Sequence, residues 1–248
     1  MLNATLQSRE EVAPGLFVIK VLPDKGVPDF LPGQYVAMGL PHHHEALEAR
    51  KSKLIKRAYS IASSPDEKEA YEFFIALVEK GDLTPRLQSL KEGDRLYVAD
   101  KVVGAFTCEE IPSGKRVFFV STGTGIAPYI SMLRNEKVLE KSHSVYLLHG
   151  VRYSSDLAYR DELLSLSKEH PHFHYLPTIS REDPSWTGER GYVQHLFKNE
   201  LSPNPETDHI FLCGNPGMID ELEEKLLTLG FILHSRKSPG NLHVEKYW

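Results

Sequence analysis

The sequence predicts two domains in tandem, an antiparallel β domain of barrel or sandwich type followed by a doubly wound parallel α/β domain. Three observations carry this expectation. Up to about residue 108 the chain runs in short stretches of alternating apolar and polar residues separated by turn residues. From about residue 112 the apolar runs lose their alternation, and each leads into a stretch of helical spacing. Between the two textures, "TCEEIPSGKR" offers Pro112, Ser113 and Gly114 as a linker, which puts the expected domains at 1–108 and 112–248.

In the first domain the expected strands are "GLFVIKVLP", "GQYVAMGL", "RAYSIASS", "YEFFIALVEK" and "DRLYVADKV". Successive side chains leave a strand on opposite faces, so alternation buries one face and wets the other. Before the last of these strands, "KGDLTPRL" sets Gly81 and Thr84 ahead of a helix, where a hydroxyl and free N–H groups can meet an anion. In the second domain the strands "RVFFVS", "SVYLLHGV", "FHYLPTIS" and "HIFLCGN" are each buried on both faces. The helical patterns "APYISMLRNEKVLE", "DLAYRDELLSLSKEH", "RGYVQHLFKNEL" and "GMIDELEEKLLTLGF" follow them in turn. There is no internal repeat.

Bulk composition narrows the function. The 248 residues are 41% hydrophobic and 25% charged, as in a globular protein with one large or two modest cores. A formal net charge of −5 argues against general nucleic-acid binding. No apolar run nears the ~20 residues of a membrane span. The opening "MLNATLQSREEVAPG" has neither a secretory core nor transit-peptide character, so a cytoplasmic protein away from membranes is expected. Cys108 and Cys213, the two cysteines, are far apart, which supports no disulfide framework, iron–sulfur cluster or cysteine zinc site. Redox chemistry would then need a bound organic cofactor. His42, His43 and His44 are consecutive and without a neighbouring cysteine or clear carboxylate set, and no metal site is expected there. The run Arg50, Lys51, Lys53, Lys56, Arg57 is either a solvated loop or a docking patch for an acidic partner or anionic cofactor.

Two stretches point to nucleotides. "STGTGIAP" is a strand-to-helix turn, in which Gly123 and Gly125 let the backbone approach a pyrophosphate and the next helix offers its N-terminus. "RAYS" gives Arg57, Tyr59 and Ser60, a phosphate fork, a flat ring and a hydroxyl around one ligand. Arg152 and Arg181 each lie just past an expected parallel strand, and Arg190 begins the next helical segment. Converging arginine forks favour a 2′-phosphate and so NADP over NAD.

The ordered set "FLPGQYV", "RAYS", "GDLTPRL", "GTGIAP", "VRYSSDL", "SRED", "CGNPGM" and terminal "VEKYW" resembles ferredoxin–NADP reductase, in the bacterial branch that ends in an aromatic pair. The resemblance spans essentially the whole chain. It implies an antiparallel FAD-binding β-barrel followed by a doubly wound parallel-sheet NADP-binding domain, with the flavin at their junction. It also implies a monomeric enzyme moving electrons between NADP(H) and ferredoxin or flavodoxin, with hydride passing between nicotinamide C4 and flavin N5.

Carried over by position, Arg57 resembles the arginine on the FAD pyrophosphate, with Ala58 beside it. Tyr59 and Ser60 resemble the aromatic against the flavin and the hydroxyl beside N5. Phe74, Ile75, Ala76 and Leu77 match the strand whose backbone holds the flavin edge. Asp82, Leu83 and Thr84 match the phosphate turn, and Thr124 a residue near both cofactors. Gly123, Thr124, Gly125, Arg152, Ser180, Arg181, Arg190, Gly214 and Asn215 match NADP contacts. Cys213 resembles the cysteine lining the nicotinamide pocket, and Glu245 a carboxylate that works with the serine near N5. Tyr247 and Trp248 resemble aromatics that cover the flavin face and stack on the FAD adenine. Ser60, Cys213, Glu245 and Tyr247 thus form the expected set around hydride transfer.

Overall fold

Pro14 and Gly15, the glycine at φ +77°, fold the strand Ala4–Ala13 (β1) back onto Leu16–Pro23 (β2). The sequence reading passes over β1 because Ser8 to Glu11 are polar and its register shifts twice, between Leu6 and Ser8 and between Glu11 and Ala13. Each shift breaks the period of two that would have marked the strand. The structure, a computed structural model, describes residues 1–42, 53–181, 183–198 and 201–246.

The first sheet adds Tyr35–Pro41 (β3), Leu54–Ser60 (β4), Tyr71–Ala76 (β5) and Arg95–Val98 (β6), in the order β4-β3-β6-β1-β2-β5. Every pairing is antiparallel. The two outer strands approach each other just beyond β4, where Ala62 N–H donates to Glu72 O at 2.8 Å. Leu6, Phe17, Ile19, Met38, Phe73 and Leu96 fill the interior. The short helix Thr84–Ser89 (α1) adds Leu87 to that core.

The second sheet is wholly parallel. It comprises Arg116–Thr122 (β7), Ser144–Val151 (β8), Phe173–Ile179 (β9), Glu189–Arg190 (β10), Asp208–Gly214 (β11) and Leu242–Lys246 (β12). Their order is β10-β9-β8-β7-β11-β12, so the connection reverses direction between β7 and β11. In such sheets ligands lie beyond the carboxyl ends of the strands at that reversal. Alternate residues of β7 serve two cores: Val117 and Phe119 pack one side with Tyr129, Ile130 and Leu147, while Phe118 and Val120 pack the other with Ile219 and Leu222. That double burial is why these strands read as unbroken apolar runs.

Ala127–Arg134 (α2), Lys137–Lys141 (α3), Arg160–Glu169 (α4) and Pro216–Thr228 (α5) cover the sheet. Two sequence expectations need correction here. The pattern from 127 to 140 is two helices, interrupted at Glu136, which sits at φ +61°. In the pattern "RGYVQHLFKNEL" residues Val193–Leu196 form a 3-10 turn in place of the expected α-helix, and Arg190 belongs to β10 instead of opening a helix. The terminal segment is a sheet strand as far as Lys246, parallel to β11. Its register demands a partner distant in sequence, which local spacing cannot reveal.

The two halves share one apolar core. Phe74 of β5 meets Tyr159 edge-on at 5.8 Å, and Phe106 packs on Phe211 at 5.3 Å and Tyr129 at 5.9 Å.

Candidate active site at the junction of the two sheets

The glycine-rich turn follows β7 directly. Gly123 lies at φ +53°, a left-handed conformation that favours glycine, and the space where a Cβ would stand is open. Residues Gly123–Ile126 form a 3-10 turn that runs into α2, with Pro128 in the first helical turn. The leading N–H groups of such a run have no partner within it and can face an anion. Gly125 plays a different part: a Cβ there would strike the Cys213 carbonyl oxygen and stand 2.7 Å from Cys213 C and 2.8 Å from Gly214 Cα. Gly214, at φ +132°, is pressed against Thr122 in the same way. Asn215 N–H donates to Thr122 Oγ1 at 2.7 Å, and Asn215 Oδ1 caps α5 by accepting from the N–H groups of Gly217 and Met218. The ends of β7 and β11 therefore form one rigid ledge with two helix starts on it.

Ser60, the last residue of β4, is buried, and its hydroxyl donates to Glu245 Oε1 on β12 at 2.9 Å. This contact joins the first sheet to the edge of the second. Cys213 is in register with Ser121 on one side and Glu245 on the other, so the three share one row of the sheet. The Cys213 side chain is completely buried. Burial pushes the Glu245 carboxyl up to about 7, against the opposing effect of the Ser60 hydroxyl. A carboxyl so placed changes protonation near neutral pH, as an acid–base group must. Lys246 bonds to Asp220 and Glu223 of α5 at 2.9 and 3.0 Å, clamping the end of β12. Ser60, Cys213 and Glu245 are thus brought together, while Tyr247 and Trp248 lie outside the described residues.

On the outer strand β4, Lys56, Arg57 and Ala58 are exposed in succession. Arg57 Nη1 donates to Lys56 O at 2.8 Å, and Tyr59 is half-buried edge-on to Phe73 at 6.4 Å. Burial lifts the Tyr59 phenol to about 12, so the ring stays neutral. The Phe74 and Ile75 side chains are buried, which leaves only their backbone for a ligand, and Ala76 and Leu77 are half-buried. Asp82 is exposed and Leu83 buried. The Thr84 hydroxyl accepts from Val78 N–H at 2.9 Å and closes the loop from 78 to 84. Thr124 is half-buried within the 3-10 turn. The donor set of Arg57, Tyr59 and Ser60 on an edge strand, a guanidinium fork, a flat ring and a hydroxyl, fits an FAD. Of the basic run, Lys53, Lys56 and Arg57 are described; Arg50 and Lys51, with His43 and His44, lie outside the described residues.

The three arginines lie at or just beyond the ends of adjacent strands, Arg152 after β8, Arg181 after β9 and Arg190 at the end of β10. Arg181 N–H donates to Arg152 O at 2.9 Å, and Ser180 N–H to Val151 O at 2.9 Å, so the loops after β8 and β9 run side by side. Arg152 and Arg181 are exposed. Arg190 pairs with Ile179, and its Nη2 donates to the Asp183 and Trp186 carbonyls at 2.8 and 2.7 Å. Sequence reasoning missed Asp183. Its carboxylate accepts from the Ser154 hydroxyl and from the Ser185 hydroxyl and N–H, and these bonds hold its carboxyl down to about 2. An Asp one residue before Pro184 and two before Ser185 is a turn signal, and that signal alone could have found it.

Comparison with known proteins adds family membership to this geometry. Residues 3–101 match the model of the oxidoreductase FAD-binding domain, and residues 119–224 that of the oxidoreductase NAD-binding domain. The chain is 32% identical over 239 residues to the flavodoxin/ferredoxin–NADP reductase of Buchnera aphidicola, covering 93% of each chain. It is 35% identical over 245 residues to the ferredoxin–NADP reductase of Pseudomonas aeruginosa, covering 93% of this chain and 91% of that one. Among solved structures, a ferredoxin NADP+ reductase from Neisseria gonorrhoeae with bound FAD and NADP shares the fold, with a TM-score of 0.86 and 24% identity over 99% of this chain and 98% of that one.

Proposed function

Since the chain belongs to the ferredoxin–NADP reductase family and is therefore an FAD-dependent oxidoreductase exchanging electrons between NADP(H) and ferredoxin or flavodoxin, we propose which of its residues carry each step. When bound, the flavin takes up a hydride at N5 as two electrons and delivers them singly to a carrier. The protein binds, orients and handles the proton. Arg57 holds the FAD pyrophosphate, Ala58 lies beside it, and Tyr59 lies against the ring. The backbone from Phe74 to Leu77 borders the flavin edge, and the loop Asp82 to Thr84 supplies N–H groups to the phosphates. Thr124 sits between the two nucleotides.

Gly123 and Gly125 admit the NADP pyrophosphate to the ledge, with Gly214 and Asn215 forming its other half. Arg181 and Arg190 meet the 2′-phosphate, with Arg152 and Ser180 beside them and Arg190 braced by two carbonyls. Two guanidinium forks match a phosphate and have no counterpart in a ribose hydroxyl, so NADPH is preferred to NADH. Cys213 shapes the floor of the nicotinamide pocket. Ser60 stands beside N5, and Glu245 holds or releases a proton through the Ser60 hydroxyl. Tyr247 covers the flavin face and Trp248 the adenine, as in the bacterial type with an aromatic tail. The domains divide at 1–108 and 112–248. The enzyme works as a cytoplasmic monomer, away from membranes and nucleic acid. The absence of a helix long and apolar enough to cross a membrane among the described residues, and the net charge of −5, support that setting.

The Ser60–Glu245 hydrogen bond carries this reading, because it links the two sheets where the two ligands would meet. Losing one such bond to a charged group costs about 1.5–3 kcal/mol, or roughly a 10- to 100-fold change in rate. Ser60→Ala is therefore expected to slow flavin reduction by NADPH by at least tenfold in anaerobic stopped flow while retaining FAD. Reduction at the wild-type rate would remove Ser60 from the mechanism.

A further inference from the structure

Helix α2 starts at the nucleotide turn and ends on the segment that follows Ser60. Ser131, fully buried, donates its hydroxyl to Ser63 O at 2.7 Å. Arg134 Nη1 donates to Ala62 O at 3.1 Å and to Glu72 Oε1 at 2.9 Å. The same guanidinium grips Glu162 of α4 bidentately, Nε to Oε1 at 2.7 Å and Nη2 to Oε2 at 2.9 Å. Glu72, buried on β5, also accepts from Tyr159 OH at 3.0 Å, and its N–H donates to Ser63 Oγ at 3.2 Å. With Ala62 N–H on Glu72 O, residues 62 and 63 are tied to both halves of the molecule at once.

The lengths are short and stiff. Only Ile61 separates Ser60 from Ala62, at most ~7 Å of chain. From Gly123 to Arg134 the run spans roughly 18 Å, at about 2.0 Å per residue through the 3-10 turn and about 1.5 Å per residue along α2. The junction already has an apolar core at Phe106, Phe211 and Tyr129, and buried ion pairs add little net stability compared with apolar packing. What the polar grip adds is a defined distance.

We propose that Ser131 and Arg134 are positioning residues for hydride transfer, with α2 acting as a strut that sets the separation of Ser60 from the Gly123 turn. The inference rests on the reading of those two features as the flavin and nicotinamide sides of one reacting centre. Both act through the segment after Ser60 that they grip. Displacement by about 1 Å at a reacting centre can cost on the order of 100-fold in rate, so a partly loosened strut is expected to cost about tenfold.

The test uses the FAD-loaded enzyme and the variants Ser131→Ala, Arg134→Gln and Arg134→Lys. Single-turnover reduction is followed with NADPH and with NADPH deuterated at the transferred position, alongside amide hydrogen exchange over residues 60–64. Ser131→Ala and Arg134→Gln are expected to keep FAD and to change the KM for NADPH less than about twofold. They should slow hydride transfer about tenfold, make the isotope effect more dependent on temperature, and raise exchange at Ala62 and Ser63. Arg134→Lys should recover part of the rate. If Arg134→Gln loses its FAD, Ser131→Ala decides alone. Wild-type rates per bound flavin in these variants, with only the melting temperature lowered, would overturn the inference provided that Ser60→Ala is slow. A Ser60→Ala enzyme at full rate would overturn the underlying reading instead.

Discussion

The two glycines of the "GTG" turn are expected to fail differently when replaced by alanine. At Gly125 the backbone lies outside the left-handed region, so alanine meets no torsional objection, but its Cβ would collide with the Cys213 carbonyl and crowd Gly214 Cα at 2.8 Å. These are backbone atoms of β11 and cannot step aside by changing rotamer. Overpacking costs about 1–3 kcal/mol and occasionally more, and this site belongs at the upper end, about 3 kcal/mol. At Gly123 a Cβ meets nothing within 4 Å, and the cost is the left-handed φ of +53° alone, about 1 kcal/mol. In a chain of this size each kcal/mol moves the melting temperature by about 2–4 °C. Gly125→Ala should therefore lower it by roughly 6–12 °C and Gly123→Ala by roughly 2–4 °C. Calorimetry of the FAD-loaded proteins measures both, and nucleotide titration should show NADPH binding weakened in step with the displaced ledge. A Gly125→Ala protein melting within about 2 °C of wild type, or below which Gly123→Ala melts, would refute the close approach of turn and strand.

Glu245 makes stability depend on pH. Its carboxyl titrates at about 7 in the fold against 4.5 when free, so its stabilising contribution is complete below the lower value and is lost as pH rises through the upper one. Glu245→Gln should remove a decline of about 3 kcal/mol across that window, read from urea unfolding at a series of pH values. Arg181→Ala should raise the KM for NADPH about 10- to 100-fold and leave that for NADH nearly unchanged, and steady-state kinetics with both nucleotides checks it. Asp208, fully buried, forms a bidentate pair with Arg116 at 2.6 and 2.7 Å. Asp208→Ala should lower the unfolding free energy by about 3–5 kcal/mol, measured as a shift of the denaturant midpoint. Removal of Tyr247 and Trp248 should raise the fluorescence of the bound flavin by uncovering its face, and unchanged emission would take Tyr247 off the ring.

The parts of the fold legible in the sequence are those in which pattern and partner are local. Strands β7, β8 and β11 are buried on both faces and followed by helices in sequence, and they announce themselves as apolar runs. Strand β1 escapes because its bulges scramble the alternation, and β12 because five residues carry too little pattern. The segment from 190 to 201 has apolar residues at helical spacing, yet Val193 and Leu196 reach the core from a single 3-10 turn after a left-handed Gly191. In the site, Arg57, Ser60 and the glycines stand out by residue type. Position in the fold supplies the rest: Gly125 is needed because β11 passes beneath it, and Glu72 meets Arg134 across 62 residues of chain. No local motif records such pairs.

The central claim is that electrons enter this protein from NADPH through a flavin and leave it to a carrier protein. Anaerobic mixing of the FAD-loaded enzyme with NADPH, followed by addition of oxidised ferredoxin or flavodoxin, tests it most directly. The account expects the visible flavin absorbance to bleach rapidly with NADPH, far more slowly with NADH, and to return when the carrier is added. A flavin that NADPH leaves oxidised, or that neither carrier re-oxidises, would contradict it.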